Sequence, residues 1–263
     1  CLPVPKAQDN DHKYILLCTV QGVIKKTPML DCARIRVSGV RAITLDEGDS
    51  LISVQVTNGN QELFFTSRNG MALRVHESTI RTMGRTARGV IGIRLKQGDR
   101  VVSAIALSGS GRLLTVTEKG YGKKTLIDDY ALKKHRGNFG MRCMNVTEKN
   151  GPVVNTLEVE EHFQIFIITQ QGKLIRTPVS GISTVGRVTQ GNRLFHIAED
   201  DIVIDVASMI EDDEEELPEN GEAAAVPENP VAETQTELAE TVIAEAPETV
   251  TEALQAALPL EDN

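Results

Sequence analysis

The chain writes one short phrase four times. Gly22-Val23-Ile24-Lys25-Lys26-Thr27 recurs as Gly70-Met71-Ala72-Leu73-Arg74-Val75, as Gly120-Tyr121-Gly122-Lys123-Lys124-Thr125 and as Gly172-Lys173-Leu174-Ile175-Arg176-Thr177. The glycines are 48, 50 and 52 residues apart, and each follows an apolar run such as Leu113-Leu114-Thr115-Val116 or Ile165-Phe166-Ile167-Ile168. A period of about fifty residues built from strand-length pieces restricts the fold to a radial or stacked array, because one such piece cannot bury its apolar face alone.

The units share an internal order. A polar pair and a glycine after the first strand predict a hairpin turn with positive φ, and a second strand then carries the basic residues. A polar connector follows, such as 76–84, and then a third strand alternating with period two, as in Val90-Ile91-Gly92-Ile93-Arg94-Leu95. An acidic or glycine turn (Asp46–Asp49, Lys96–Asp99, Glu148–Gly151, Glu199–Asp201) leads into a β-branched fourth strand. Four short strands per unit predict an all-β, propeller-like or β-pinwheel array of about four four-stranded blades, at 14–57, 62–107, 112–159 and 163–209. Aromatic residues make up only 3% of the chain and Trp is absent, so the cores are expected to be aliphatic and the WD and kelch signatures do not apply. Residues 1–13 are expected to be the remnant of an upstream blade or linker, since the chain opens on Cys1-Leu2-Pro3-Val4-Pro5 without a Met.

Charge separates the body from the tail. Every Lys and Arg lies at or before Arg193, whereas 211–263 holds 17 acidic residues and no basic one. Residues 1–210 carry a net charge of +8, hidden beneath the overall −9. A basic body points to a polyanion. Residues 210–263, rich in Glu, Ala, Pro and Thr, are expected to be a disordered acidic tail, because like charge and low hydrophobicity cannot offset the entropy of ordering. Such a tail would compete with DNA for the basic body, and truncation after Met209 would then raise DNA affinity at low salt.

Motifs for catalysis are missing. Gly120–Thr125 superficially looks like a phosphate loop, but Thr117 stands where the loop needs glycine and Lys124 where it needs Ser or Thr. Gly109-Ser110-Gly111 is followed by Leu114 where a dinucleotide fingerprint needs glycine. The five histidines (His12, His76, His135, His162, His196) are scattered without metal-ligand spacing, so no catalytic residue and no metal is expected. The four cysteines form no framework; Cys18, inside an apolar strand, is expected to be a buried reduced thiol. No apolar run approaches the ~18 residues of a membrane span.

The candidate binding residues are the recurring cations. Second strands supply Lys25, Lys26, Arg74, Lys123, Lys124 and Arg176; connectors supply Arg85, Arg88, Lys133, Lys134, Arg136 and Arg187. Protection of sheet edges against pairing would account for any one of them. Their repetition predicts a curved basic track, which suits bent duplex DNA held by sequence-independent phosphate contacts. Bending 20–30 bp by 40–90° costs on the order of 1–6 kcal/mol, which several contacts offset and one does not.

These residues carry a resemblance. Gly22–Thr27, Gly89-Val90-Ile91-Gly92-Ile93-Arg94-Leu95-Lys96-Gln97-Gly98-Asp99-Arg100-Val101-Val102, Glu118–Thr125, Val146–Gly151 and Val185–Gly191 are similar to the C-terminal β-pinwheel domain of the bacterial DNA gyrase A protein, part of a type IIA topoisomerase. The resemblance covers about 14–209, and the family also carries an acidic tail. It implies a domain that wraps duplex DNA so that the full enzyme introduces negative supercoils by ATP-dependent strand passage. It further implies partnership with the gyrase B protein and a second gyrase A protein in a heterotetramer, in the cytoplasm on the nucleoid. The ATP, Mg²⁺ and catalytic tyrosine would belong to other domains, so this chain alone is expected not to be an enzyme; Tyr14, Tyr121 and Tyr130 sit in blade contexts. Two departures stand out: the family's pinwheel usually has six blades, and its glutamine-arginine-glycine box is not present, Gly84–Gly89 and Lys133–Gly140 being degenerate echoes. The alternatives are the C-terminal DNA-binding domain of the corresponding topoisomerase IV protein, which lacks the box, and a protein-interaction propeller with a merely solubilising rim.

Overall fold

A computed structural model describes residues 13–32, 39–109, 111–198 and 200–210. The expectations for the N-terminal remnant (apart from Lys13) and for the acidic tail beyond Ile210 lie outside them. The described chain is all-β. In order, its strands are β1 (Tyr14–Thr19), β2 (Val23–Pro28), β3 (Leu51–Thr57), β4 (Glu62–Ser67), β5 (Met71–His76), β6 (Val90–Ile91), β7 (Val101–Leu107), β8 (Arg112–Thr117), β9 (Tyr121–Leu126), β10 (Met141–Arg142), β11 (Val153–Val159), β12 (Phe163–Thr169), β13 (Leu174–Pro178), β14 (Asn192–Arg193) and β15 (Val203–Ile210). They form four small antiparallel sheets arranged as propeller-like blades.

The sheets do not coincide with the sequence units. Their orders are β3-β1-β2-β6, β10-β5-β4-β7, β11-β8-β9-β14 and β13-β12-β15. The third strand of each later unit therefore leaves its own unit and completes the preceding blade: Val90 and Ile91 pair with Ile24 and Val23, Met141 with Ala72, and Asn192 with Gly122. The alternation in the sequence predicts a six-residue strand that stays within its unit; the strand crosses over and spans two. Blade 4 has three strands among the described residues.

The crossover has a local cause. Gly89, Gly140 and Gly191 each precede a donated strand with positive φ (104°, 72° and 74°). A Cβ there would collide with a backbone carbonyl of the receiving strand: Ile24, Ala72 and Gly122 in turn. Only glycine lets the donated chain approach so closely. The hairpin glycines Gly22, Gly70, Gly120 and Gly172 take positive φ as the repeat predicts.

Strands β3, β7, β11 and β15 contact one another in succession and so surround the axis, leaving the donated strands at the rim. Both faces of blades 2 and 3 pack on neighbours. One core joins Leu16, Cys18 and Ile24 of blade 1 to Leu63, Phe65, Leu73 and Val75 of blade 2. A second joins Phe64 and Ala72 to Leu113, and a third joins Leu114 and Val116 to Ile165 and Ile167. Phe64 meets Tyr130 edge-on, with centroids 4.8 Å apart. Cys18 and Cys143 are buried free thiols, their pKa values pushed up to about 12 by burial. Among the described residues no helix is long and apolar enough to cross a membrane, and no cluster of His, Cys, Asp and Glu could hold a metal ion.

Candidate nucleic-acid interface

The second-strand cations are where the structure departs most from the sequence reading. Lys25, Lys26, Lys123 and Lys124 are buried and present nothing to a ligand. The reason is the alternation of side chains along a strand: neighbours point to opposite faces, and both faces of these strands are covered. Lys25 donates to the carbonyls of Ala42 (2.6 Å) and Arg85. Lys123 donates to those of Gly186 (2.9 Å), Arg187 (2.6 Å) and Thr189 (3.4 Å). Burial lowers the pKa of the Lys123 amine to about 8 and shifts Lys25 in the same direction. Both lysines thus fasten connectors from beneath.

The next residue in each phrase grips the following blade. Lys26 donates to the carbonyl of Glu77 at 3.4 Å and lies 3.7 Å from its buried carboxylate. Lys26 also sits 5.0 Å from the centre of the Tyr14 ring. Arg74 donates to the carbonyls of Ile127 and Tyr130 at 3.0 and 3.1 Å and pairs with Glu62 at 2.5 Å. Lys124 donates to the carbonyl of Val179 at 3.0 Å and to Glu161, whose carboxyl it holds below the usual range. In all three cases one carbonyl acceptor is the first residue of the 3₁₀ turn that follows the next blade's second strand: Glu77 of Glu77–Thr79, Ile127 of Ile127–Asp129 or Val179 of Val179–Gly181. Arg176, the fourth of the series, is exposed on β13 and bonds Gln164 at 2.5 Å.

The connectors are another matter. They touch end to end along the rim. Thr44 N–H donates to Ala87 O and its hydroxyl to Thr86 O. Gly137 N–H donates to Gly92 O at 2.6 Å and Arg94 N–H to Asn138 O at 2.9 Å. Asn145 N–H donates to Thr189 O at 3.0 Å. An arginine four residues before each donor glycine tightens two of these seams: Arg136 reaches the carbonyl of Ile91 (2.7 Å) and Arg187 that of Arg142 (2.9 Å). Arg85 occupies the same position. Arg136 and Arg187 are half-buried and join the connectors and Arg85 is half-buried, its carbonyl accepting from Lys25, while Lys134 and Arg88 are exposed and Lys133 is half-buried beside Arg74. Arg88 is bound to Asp46, which it holds below the usual carboxylate range.

The exposed rim includes cations the sequence reading passed over. Arg41, Arg142 and Arg193 occupy one repeated position, two residues after Gly39, Gly140 and Gly191, and all three are exposed, as are Arg81, Arg94 and Lys96. A signal was available. No Asp or Glu occurs in 32–45, 78–98, 130–147 or 162–198, and these acid-free runs contain the connectors. The carboxylates cluster instead at the turns before the axial strands, where Asp49 and Asp99 accept turn N–H groups at 3.0 Å. The fold thus puts its connector cations at the rim and many of its carboxylates in turns leading toward the axis. Such a rim attracts a polyanion.

A propeller of gyrase type is recognisable at the sequence level. The family model described as "DNA gyrase C-terminal domain, beta-propeller" matches residues 13–58, 61–108, 111–159 and 164–208. The chain belongs to this family. The DNA gyrase A protein of Salmonella typhimurium is 43% identical over 216 residues, covering 81% of this chain and 24% of that protein. Its counterpart in Staphylococcus aureus is 37% identical over 222 residues, covering 84% and 25%. The chain therefore spans about a quarter of the length of these curated relatives. A solved gyrase A C-terminal domain superposes with a TM-score of 0.70 at 27% identity, over 78% of this chain and 68% of that one. The C-terminal domain of DNA topoisomerase IV gives 0.74 at 26% identity, over 80% and 65%.

Proposed function

We propose that this gyrase-family domain binds duplex DNA along its rim, without reading sequence, and bends it for the supercoiling cycle of a gyrase holoenzyme. The observation that carries this reading is the unbroken, acid-free course of connectors bearing Arg41, Arg81, Arg94, Lys134, Arg142 and Arg193. Phosphate contacts spread along an arc supply affinity and offset bending together. In this reading the domain does no chemistry. ATP, Mg²⁺ and the DNA-cleaving tyrosine are supplied by other domains and by the gyrase B protein, in a heterotetramer with a second gyrase A protein, working on chromosomal DNA in the cytoplasm. The topoisomerase IV likeness favours a second reading, the DNA-binding domain of that enzyme; the curated relatives, which are gyrase A proteins, weigh the other way.

The test is ligation of nicked plasmid circles saturated with this chain. Wrapping is expected to trap writhe and shift the topoisomer distribution, and the shift should fade between low and moderate salt. Binding without a topoisomer shift would favour simple DNA attachment, and binding insensitive to salt would count against the phosphate track.

A further inference from the structure

One joint of the array gathers cations as the others do not. Arg193 pairs across the sheet with Tyr121, whereas its counterparts Arg142 and Ile91 face Met71 and Val23. Tyr121 is buried, and its hydroxyl accepts from Arg193 Nη2 at 2.9 Å and Nε at 3.3 Å. The Arg193 guanidinium lies 5.3 Å from the Tyr121 ring centre and the Lys149 ammonium 5.8 Å, so one ring carries two cations. Lys119, Tyr121, Lys149 and Arg193, with Ile197 and Ile202, line an open cleft of about 530 Å³. Asp201 lines it too, but accepts the N–H groups of Gln171 and Ile202 in its own turn. The turns explain why acid is scarce here. Four places before the axial strand stand Glu47, Gln97, Lys149 and Glu199 in the four units; two places before it stand Asp49, Asp99, Gly151 and Asp201. Those aspartates accept the hairpin N–H groups of Gln21, Asn69 and Gln171. In unit 3 Lys119 N–H donates instead to Asn150 O at 3.2 Å, and no carboxylate is needed. The buried Asn150 also fastens this turn to the rim: its side-chain amide donates to Asn145 O (3.0 Å) and Gln190 O (3.1 Å), on the connectors of units 3 and 4.

We propose that this cleft is the anchor of the DNA track, taking backbone phosphates at the joint of blades 3 and 4, an inference that rests on the rim being that track. Arg193, Lys119 and Lys149 supply the charge, and Tyr121 is the positioning residue. A guanidinium has five N–H donors. Among the described residues three of those of Arg193 are engaged, two with the Tyr121 hydroxyl and one with His196 Nδ1 at 3.1 Å. Neither partner is a carboxylate, so Arg193 is held in place with its charge uncompensated and two donors left for a phosphate. Arg88, on the same rim, is held by Asp46 and cancelled by it. Fixing an arginine before the ligand arrives lowers the ordering cost of binding, and its planar fork matches phosphate geometry. The low-dielectric walls of a cleft focus the field of the charges inside it. A single exposed cation such as Arg81 holds a phosphate loosely; three converging on one cleft fix the path of the duplex past this joint.

The experiment is lysine acylation of the chain, read by mass spectrometry, with and without a saturating duplex of ~30 bp, long enough to bend. Binding is expected to lower the reactivity of Lys119 and Lys149 several-fold. Arg193→Gln should weaken binding several-fold at low salt and cut the slope of log affinity against log salt by about 0.9. Tyr121→Phe keeps the ring and every charge, so the slope should stay at the parental value while affinity falls several-fold and the protection of Lys149 declines. Arg193 is exposed, so the thermal midpoint of Arg193→Gln should match the parent and keep the test free of misfolding, even where Tyr121→Phe is less stable. A bound duplex that leaves both lysines fully reactive overturns the anchor and leaves the track standing. Protection by millimolar pyrophosphate as strong as that by duplex makes the cleft a pocket for small phosphate ligands and also overturns the anchor. A Tyr121→Phe variant identical to the parent in affinity and protection removes the positioning role. Absence of binding by the parent chain overturns the track itself, and the anchor with it.

Discussion

Two sets of cations recur in this chain with the same period and opposite fates. The second-strand set lies inside the ring for three of its four units, with ammonium and guanidinium groups spent on carbonyls and carboxylates of the protein. The connector set lies at the rim, where the main chain runs unaccompanied by acids. The difference teaches that a repeated charge is evidence of a repeated environment, not of a repeated ligand. What decides between inside and outside is the packing on each side of the strand. In a strand covered on both faces, consecutive residues such as Lys25 and Lys26 point to opposite faces and are both buried.

The largest expected effect comes from attacking the inner set. Lys26→Met leaves the buried Glu77 carboxylate without its counter-charge, and a broken buried pair costs about 3–5 kcal/mol. Urea unfolding should show the loss, while the salt slope of DNA binding by the folded fraction stays the same. A stable Lys26→Met variant with weakened DNA binding would reverse the assignment of the two sets.

Gly89→Ala tests whether strand donation is what joins the blades. Its Cβ would lie 2.8 Å from Ile24 O at a φ of +104°, and an alanine in an incompatible conformation costs more than about 1 kcal/mol. Proteolysis is expected to cut first in the connector that carries Gly89. Unchanged stability and unchanged cleavage would mean that the two-residue strand contributes nothing.

The outer set is probed by Arg142→Ala with Arg193→Ala. Stability should remain within about 0.5 kcal/mol, as for ordinary surface changes, while the slope of log affinity against log salt falls by about 0.9 for each phosphate no longer neutralised. A slope identical to the parent's would remove this row from the interface.

The last effect is a pH dependence. Burial holds the pKa of the Lys123 amine at about 8, against 10.5 in an open chain. Between those values the unfolded state binds more protons than the folded one, so stability rises with pH across that window. Lys123→Met should lose this rise. The buried Cys143 thiol, which opposes it above pH 9, is common to both proteins. Parallel pH profiles for parent and variant would show that the carbonyls around the amine keep it charged throughout.

What was legible in the sequence was local. Hairpin glycines, strand alternation and the spacing of the units are properties of short stretches, and the all-β blades follow from them. The donated strand was not legible, because two residues such as Val90-Ile91 carry no periodicity; the mark it leaves is a glycine whose role appears only when the receiving carbonyl is in place. The burial of Lys25 and Lys123 was out of reach of propensity for the same reason. Their acceptors, Arg85 and Gly186, are 60 and 63 residues away. The rim itself could have been drawn from the sequence by asking where acids are missing instead of where bases recur, and Arg41, Arg142 and Arg193 would then have stood beside Arg88 and Lys134.

The hand-over of β6, β10 and β14 has a consequence for how such arrays change in number. Units 2, 3 and 4 each carry a plug shaped for the unit before, units 1, 2 and 3 each offer the socket that receives it, and the donor glycines make the coupling the same at these three joints. Deleting or duplicating one whole period therefore exchanges one plug for an equivalent plug and leaves no new raw edge. A cut anywhere else would orphan a socket. The unit of inheritance is the sequence period, although the unit of architecture is the blade, and it is the offset between them that lets the array lengthen or shorten without coming apart.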